Sequence, residues 1–195
     1  MSNPSHPSPE QIPLVDAALQ VIARRGPQHL TFGEVAEEAG VRDEDVRRLF
    51  GDEQTLLIEA LYLSGRRSLE RMRQPHDPQD SATLDALRNI LNSPHNQSQD
   101  YVWVVFWAGA LGSDALKATL SEVNQWHREA WRDLLERDTK RGMLRRDLDL
   151  NLETDRLMLL IDGLALRSAL ELPAWPPERQ LELLTESLGL LQDPV

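Results

Sequence analysis

The segment from Arg42 to Arg48 brings together the side chains best suited to binding chemistry. Its sequence, RDEDVRR, contains three arginines and three carboxylates: Arg42, Arg47 and Arg48, with Asp43, Glu44 and Asp45. Guanidinium groups bind phosphate oxygens, often through two hydrogen bonds, and carboxylates accept hydrogen bonds from the exocyclic amine of cytosine. A helix with this composition has groups for a nucleic-acid backbone and for base edges, although its carboxylates repel phosphates.

The charge around this segment opposes nucleic-acid binding. Residues 36–53, AEEAGVRDEDVRRLFGDE, include seven acidic residues, and residues 1–57 include ten against five arginines. The whole chain carries a net charge of −11, whereas non-specific DNA binding depends on positive charge. Acidic residues in a first helical turn also have a local role, because the helix dipole favours them there. Two hypotheses stay open: sequence-specific contact through a few arginines, or a related fold that has lost or weakened DNA binding.

The elements that position this segment are helices throughout. Apolar residues recur at helical spacing over most of the 195 residues, without the alternation typical of strands. The pattern predicts an all-α fold of nine helices, with a capping box at TFGE, residues 31–34, opening the second. We expect a flexible tail over 1–10, a headpiece of three short helices over 11–51, and a body over 52–195. The six body helices are predicted at about 52–73, 83–91, 101–111, 113–141, 152–170 and 178–191.

Headpiece residues at characteristic spacing resemble the TetR family of one-component bacterial regulators. The residues that carry the resemblance are Gly26, Thr31, Val35, Ala36, the run Ala39 to Val41, Phe50, Leu56 and Leu57. The resemblance implies a homodimer whose third helices enter the major groove one DNA turn apart. The DNA-binding residues that it implies are Thr31, Arg42, Asp43, Asp45, Arg47 and Arg48. Arg47 stands where the family has a tyrosine that contacts phosphate, and Glu53 replaces the lysine that usually opens the fourth helix.

Two body segments, VVFWAGAL at 104–111 and LIDGLALRSAL at 160–170, look like the choline-responsive BetI branch of that family. The candidate ligand-binding residues are Trp103, Phe106, Trp107, Trp126 and Asp162. Aromatic faces and a carboxylate suit a cationic or flat apolar small molecule. Aromatic residues at this spacing are also typical of ordinary core packing, and Asp162 can instead pair with Arg167 across a subunit interface.

The last two helices carry more leucine than one subunit is expected to bury. The residues predicted to form a homodimer interface are Leu159, Leu164, Leu166, Leu181, Leu184 and Leu188. In the family these helices form a four-helix bundle between subunits. The alternative is that they only close the core of a single subunit.

Other chemistry has little basis in the sequence. The chain has no cysteine, and its five histidines are scattered without an HExxH or a pair four residues apart. GxSxG, P-loop and GxGxxG motifs are absent, so we expect neither an enzyme nor a cofactor or metal site. No stretch approaches the roughly 18 uncharged residues of a membrane helix, and the start does not read as a signal peptide. We expect a cytoplasmic protein; the ligand, the operator, and repression versus activation stay open.

Overall fold

The computed structural model describes residues 7–74, 79–91 and 96–192, and in these ranges the chain forms nine α-helices and no strand. The all-α prediction is therefore confirmed. The helices are α1 Ile12–Arg25, α2 Phe32–Ala39, α3 Asp43–Phe50, α4 Glu53–Met72, α5 Ala82–Leu91, α6 Asn96–Ala110, α7 Asp114–Lys140, α8 Leu150–Leu170 and α9 Pro177–Gly189. None of the helices in the described ranges is both long enough and apolar enough to span a membrane.

The chain divides into two compact units that do not follow the linear order of the sequence. The first comprises Met1–Arg66 and Tyr101–Val123, and the second comprises Arg67–Asp100 and Asn124–Val195. Each unit combines segments far apart in the chain, whereas the expected division into headpiece and body is linear.

The helix α2 has a well-defined residue at each of its ends. The Thr31 hydroxyl accepts a hydrogen bond from the backbone N–H of Glu34 at 3.3 Å, so the predicted N-cap is present. The reciprocal half of the capping box is not. The Thr31 N–H donates to the His29 carbonyl at 2.8 Å, and the Glu34 carboxylate pairs with Arg25 instead. Gly40 then ends α2 with φ of +69°, a left-handed conformation that favours glycine.

The segment before α1 is bound to the headpiece. Pro7 is buried, the Ser8 N–H donates to the side-chain oxygen of Gln11 at 2.8 Å, and the Gln11 amide donates to the Leu49 carbonyl at 3.1 Å. Residues 7–10 therefore differ from the flexible tail expected over 1–10, because they form a turn that contacts the end of α3. Residues 1–6 lie outside the described part of the chain.

In the first unit, α4 and α7 pack closely at Gly65. A Cβ atom added to Gly65 would come within 2.5 Å of the Val123 side chain, so the helices can approach only because a glycine stands there. Nearby, the Tyr62 hydroxyl donates to Glu122 at 2.8 Å. Burial is the main cause of the raised pKa of Tyr62, and the hydrogen bond to the Glu122 carboxylate adds to it.

In the second unit, a buried carboxylate from α7 caps the start of α5. Asp138 is fully buried and accepts hydrogen bonds from the backbone N–H groups of Ala82 at 2.8 Å and Thr83 at 2.9 Å, and from the Ser81 hydroxyl at 2.7 Å. These donors and the positive end of the helix dipole compensate the cost of burying the charge. The contact holds α5 against α7, and residues of α5 line the cavity described below.

Candidate DNA-binding and ligand-binding sites

The helix α3 exposes a strongly charged face. Val46 and Phe50 are buried against the headpiece, which leaves the acidic first turn and the arginines of α3 on the outer side. Arg42, in extended conformation, precedes the helix without capping it by a side-chain hydrogen bond. The exposed face thus contains the residues expected to contact DNA.

Two of the arginines on this face are paired with carboxylates of the same helix. The Arg42 Nε and Nη2 atoms lie 3.3 and 3.4 Å from the two carboxylate oxygens of Asp45. The Arg47 Nη2 atom lies 3.1 Å from Asp43 Oδ2, and its guanidinium also stacks 5.0 Å from the ring centre of Phe32. Exposed pairs of this kind stabilise a fold by roughly 0–1 kcal/mol, so a phosphate can displace the carboxylate.

The third arginine is paired by a residue far away in sequence. Arg48 Nη2 lies 3.1 Å from Glu10 Oε1, and both side chains are exposed. Thr31 is exposed at the start of α2, where its hydroxyl proton is available to a phosphate. The structure thus brings the expected residues to the headpiece surface, with all three arginines neutralised by carboxylates in the free protein.

Replacing Asp43 by asparagine is expected to strengthen DNA binding about threefold more than replacing Glu44 by glutamine. Both changes remove one exposed negative charge, but only Asp43→Asn releases Arg47 from an ion pair. Fluorescence anisotropy with labelled upstream DNA at low salt measures the difference. Adding Arg47→Ala should abolish the extra gain, and equal affinities of the two single variants would show that the pair has no effect.

The residues of the predicted aromatic ligand site are divided between the two units. The rings of Trp103 and Phe106 meet edge to face, 5.9 Å apart at 77°, but Phe106 is completely buried and serves the core of the first unit. Trp103 and Trp107 are half-buried. Trp126 belongs to the second unit, where it packs against the core of that unit. Phe106 therefore packs in the core, and a ligand role for it and for the three tryptophans stays a prediction.

Asp162 lies on the outer face of α8 and keeps exposed surface. The protein around it still desolvates the carboxylate enough to raise its pKa to about 6. Arg167, considered as its partner, pairs with Glu171 in the same chain at 2.8 Å. Asp162 is three residues from Leu159 and four from Leu166, so all three lie on one side of the helix.

A small cavity in the second unit contains a carboxylate that the sequence patterns did not single out. Its volume is about 30 Å³, and Asp100 and Gln180 line it together with apolar side chains of α5, α8 and α9. Asp100 is only 8% exposed, and its Oδ2 atom lacks a hydrogen-bond partner within the described ranges. Desolvation raises its pKa to about 7, and the neighbouring Ser168 hydroxyl opposes part of that rise. The only sequence signal is that Asp100 is the last charge before the uncharged run YVWVVFWAGAL.

The predicted dimer residues fall into two groups. Leu159 and Leu166 are exposed on α8, at 72% and 40% of their surface. Leu164, Leu184 and Leu188 are instead buried in the core of the second unit, and Leu181 packs against the same core. Leu164, Leu184 and Leu188 are therefore corrected to core positions, because the subunit already buries them, whereas an interface role for the half-buried Leu181 stays a prediction. Two further exposed leucines, Leu152 and Leu170, extend the stripe along α8.

A helix-turn-helix followed in the chain by a helical body is the architecture of one-component transcriptional regulators. The sequence profile of the BetI-type transcriptional repressor C-terminal domain matches residues 84–192. The chain belongs to the TetR family of transcriptional regulators and has a BetI-type C-terminal region. The resemblance of the headpiece and the weaker resemblance of the body are thus confirmed, and the family is one of regulators rather than enzymes.

Individual relatives agree with this assignment. The chain is 28% identical over 179 residues to the HTH-type transcriptional regulator BetI of Serratia proteamaculans, covering 89% of this chain and 87% of that protein. Its fold is similar to a transcriptional regulator from Rhodococcus sp. RHA1, with a TM-score of 0.80, 20% identity, and coverage of 94% and 96%. It is also similar to a Saccharomonospora viridis regulator solved in complex with choline, with a TM-score of 0.77, 18% identity, and coverage of 92% and 95%.

Proposed function

We propose that the protein is a homodimeric, cytoplasmic regulator that binds operator DNA through α3 and is released by a small molecule bound in its body. The single observation that carries the proposal is the exposed face of α3, where Arg42 precedes the recognition helix of a TetR-family fold and Arg47 lies in its last turn. Phosphate contacts fix the register of such a helix, and base contacts specify the sequence. We assign the first role to Arg47 and Arg48, and the second to Arg42 and Asp45.

The homodimer part of the proposal is supported by the leucine stripe of α8. Leu152, Leu159 and Leu166 are spaced seven residues apart and Leu170 follows after four, so they share one exposed side of the helix. An apolar stripe on an otherwise charged surface is typical of an interface. In a two-fold dimer the same stripe is used on both copies, which would pair two α8 helices and set the spacing of the two recognition helices.

The ligand part is supported by the family and by the acidic groups of the body. A structural neighbour binds choline, and the body of this chain contains half-buried tryptophans and carboxylates with raised pKa values, Asp100 and Asp162. We propose residues 52–195 as the region that binds ligand and dimerises, and residues 11–51 as the region that binds DNA. Ligand binding would bias a two-state hinge that changes the separation of the recognition helices.

A second candidate function is favoured by the complete pairing of the recognition-helix arginines. Since Arg42, Arg47 and Arg48 each contact a carboxylate, the headpiece presents little net positive charge. A regulator of this fold that has lost DNA binding would act by binding a ligand or a protein partner. The two candidates differ in one measurable property, which is specific affinity for DNA.

Wild-type protein is expected to bind a fragment of its own upstream region in a fluorescence anisotropy titration, more tightly at low than at physiological salt. Combining Arg42→Ala with Arg47→Ala should weaken binding at least tenfold, because the double change removes a base contact and also a phosphate contact with its counterion release. Two matched Arg→Ala changes at exposed body positions, Arg137 and Arg146, provide the control and should leave the affinity unchanged. Absence of specific binding by the wild type at low salt would reject the DNA-binding proposal in favour of the second candidate.

A further inference from the structure

We propose that the cavity beside Asp100 binds an ammonium group, either as ammonium ion or as the head group of a small primary amine. That this ligand is the inducer rests on the proposed function. The binding of an ammonium group in the cavity does not depend on it. The cavity lies within the second unit, between α5, the start of α6, α8 and α9.

The first argument is the buried carboxylate itself. Asp100 is more than nine-tenths buried and its Oδ2 atom has no hydrogen-bond partner in the described ranges. Leaving a buried carboxylate oxygen unpaired is unfavourable, and a cation with N–H donors removes that cost. The described lining contains no basic side chain, so no residue of the described lining supplies the cation.

The second argument is the number of acceptors near this carboxylate. The Ser168 hydroxyl is fully buried next to Asp100 and can donate only one hydrogen bond to its carboxylate. Gln180 is 2% exposed, and its amide nitrogen is engaged by the Trp175 carbonyl at 2.9 Å, so its oxygen is the atom it can offer. A primary ammonium group has N–H donors for both the Asp100 carboxylate and the Gln180 oxygen, which belong to the two polar residues that line the cavity.

The third argument is size. The cavity volume of about 30 Å³ is about two to three times the roughly 10–15 Å³ that one water molecule needs. An ammonium group is similar in size to a water molecule, whereas a trimethylammonium group is much larger. Leucines 87, 164 and 184 are all buried around the cavity, and its volume is too small for a nitrogen that carries three methyl groups. The site should therefore select primary over quaternary amines.

Thermal melting at pH 8 without DNA tests the proposal. At 100 mM, methylammonium chloride or ammonium chloride should raise the melting temperature of the wild type by about 3 °C above sodium chloride, because a ligand specific for the folded state stabilises it. Tetramethylammonium and choline chloride should match sodium chloride. A rise with ammonium only would assign the free ion, and a rise with both would assign a primary amine head group.

Asp100→Asn keeps the shape of the side chain and removes its charge, so it should abolish the rise. Asp133→Asn, the same chemical change at an exposed position of α7, should retain it. No rise in the wild type would mean that the cavity holds only water. An equal rise in Asp100→Asn would mean a non-specific salt effect, and an equal rise with potassium chloride would mean that the site binds a metal cation. Each of these outcomes overturns the proposal. Because no DNA is present, failure of operator binding does not affect this result. If the protein binds its operator but its melting temperature does not rise, only the ammonium site is rejected.

Discussion

Replacing Asp100 by asparagine is expected to increase the free energy of unfolding by on the order of 4 kcal/mol at pH 8 and to change it little near pH 4. The folded-state pKa of Asp100 is about 7, against a usual value of 3.8, and each pKa unit corresponds to about 1.4 kcal/mol. Between these two values the folded state binds more protons than the unfolded state, so the contribution of Asp100 to stability falls as the pH rises from about 4 to 7. Asparagine has no charge to desolvate and escapes this loss.

Urea denaturation of both proteins at a series of pH values from 4.5 to 8.5 measures the gap. We expect it to widen up to about pH 7 and then to stay constant. Asp133→Asn, at an exposed position, should show only a small gap. A gap that does not depend on pH would mean that the Asp100 carboxylate is not desolvated in the folded protein, which would also remove one support for the ammonium site.

Replacing Leu159 by glutamate is expected to weaken the homodimer about a hundredfold or more. Leu159 is 72% exposed in the single chain, and burying a leucine contributes roughly 1.5–3 kcal/mol. The residue occurs twice in a two-fold interface, so the loss reaches at least about 3 kcal/mol, and each 1.4 kcal/mol corresponds to a tenfold change in affinity. Burying the two introduced carboxylates would add to this cost.

Sedimentation velocity over a range of protein concentrations measures the dissociation constant, and circular dichroism checks that each subunit stays folded. Leu111→Glu provides the control, because Leu111 is the most exposed of the large apolar residues in the described ranges at 92% and belongs to the first unit. Dissociation by Leu111→Glu, or a dimer of unchanged affinity in Leu159→Glu, would show that the α8 stripe is not the interface. A monomeric Leu159→Glu variant should also bind DNA weakly, since it has lost the second recognition helix.

The headpiece shows how far local rules extend. Thr31 at the start of α2 and Gly40 at its end were readable from residue type and spacing, because a cap and a left-handed turn involve only neighbouring residues. The second half of the capping box was wrong, because Arg25 competes for Glu34. The pairing of Arg48 with Glu10 was not predicted either, since those residues are 38 positions apart.

The leucines of α8 and α9 illustrate the same limit. Helical periodicity does not separate a leucine that faces the core from one that faces a second subunit, and Leu164 and Leu166 were placed in one interface for that reason. In the folded chain one is buried and the other exposed. Asp100 shows the same limit. In the sequence it is only the end of a polar segment, and its pKa is raised because α5, α8 and α9 surround it.

The sequence by itself determined the all-α class, the helix boundaries to within a few residues, the family, and the recognition-helix side chains. These features depend on periodicity, capping and motif spacing, which are interactions between residues close together in the chain. Only the tertiary structure decided which leucines of α8 stay exposed, that Glu10 neutralises Arg48, and which acidic side chain is buried beside a cavity. Those features depend on contacts between residues distant in sequence, and burial, which sets the energetic cost of each charge, exists only once such contacts have formed.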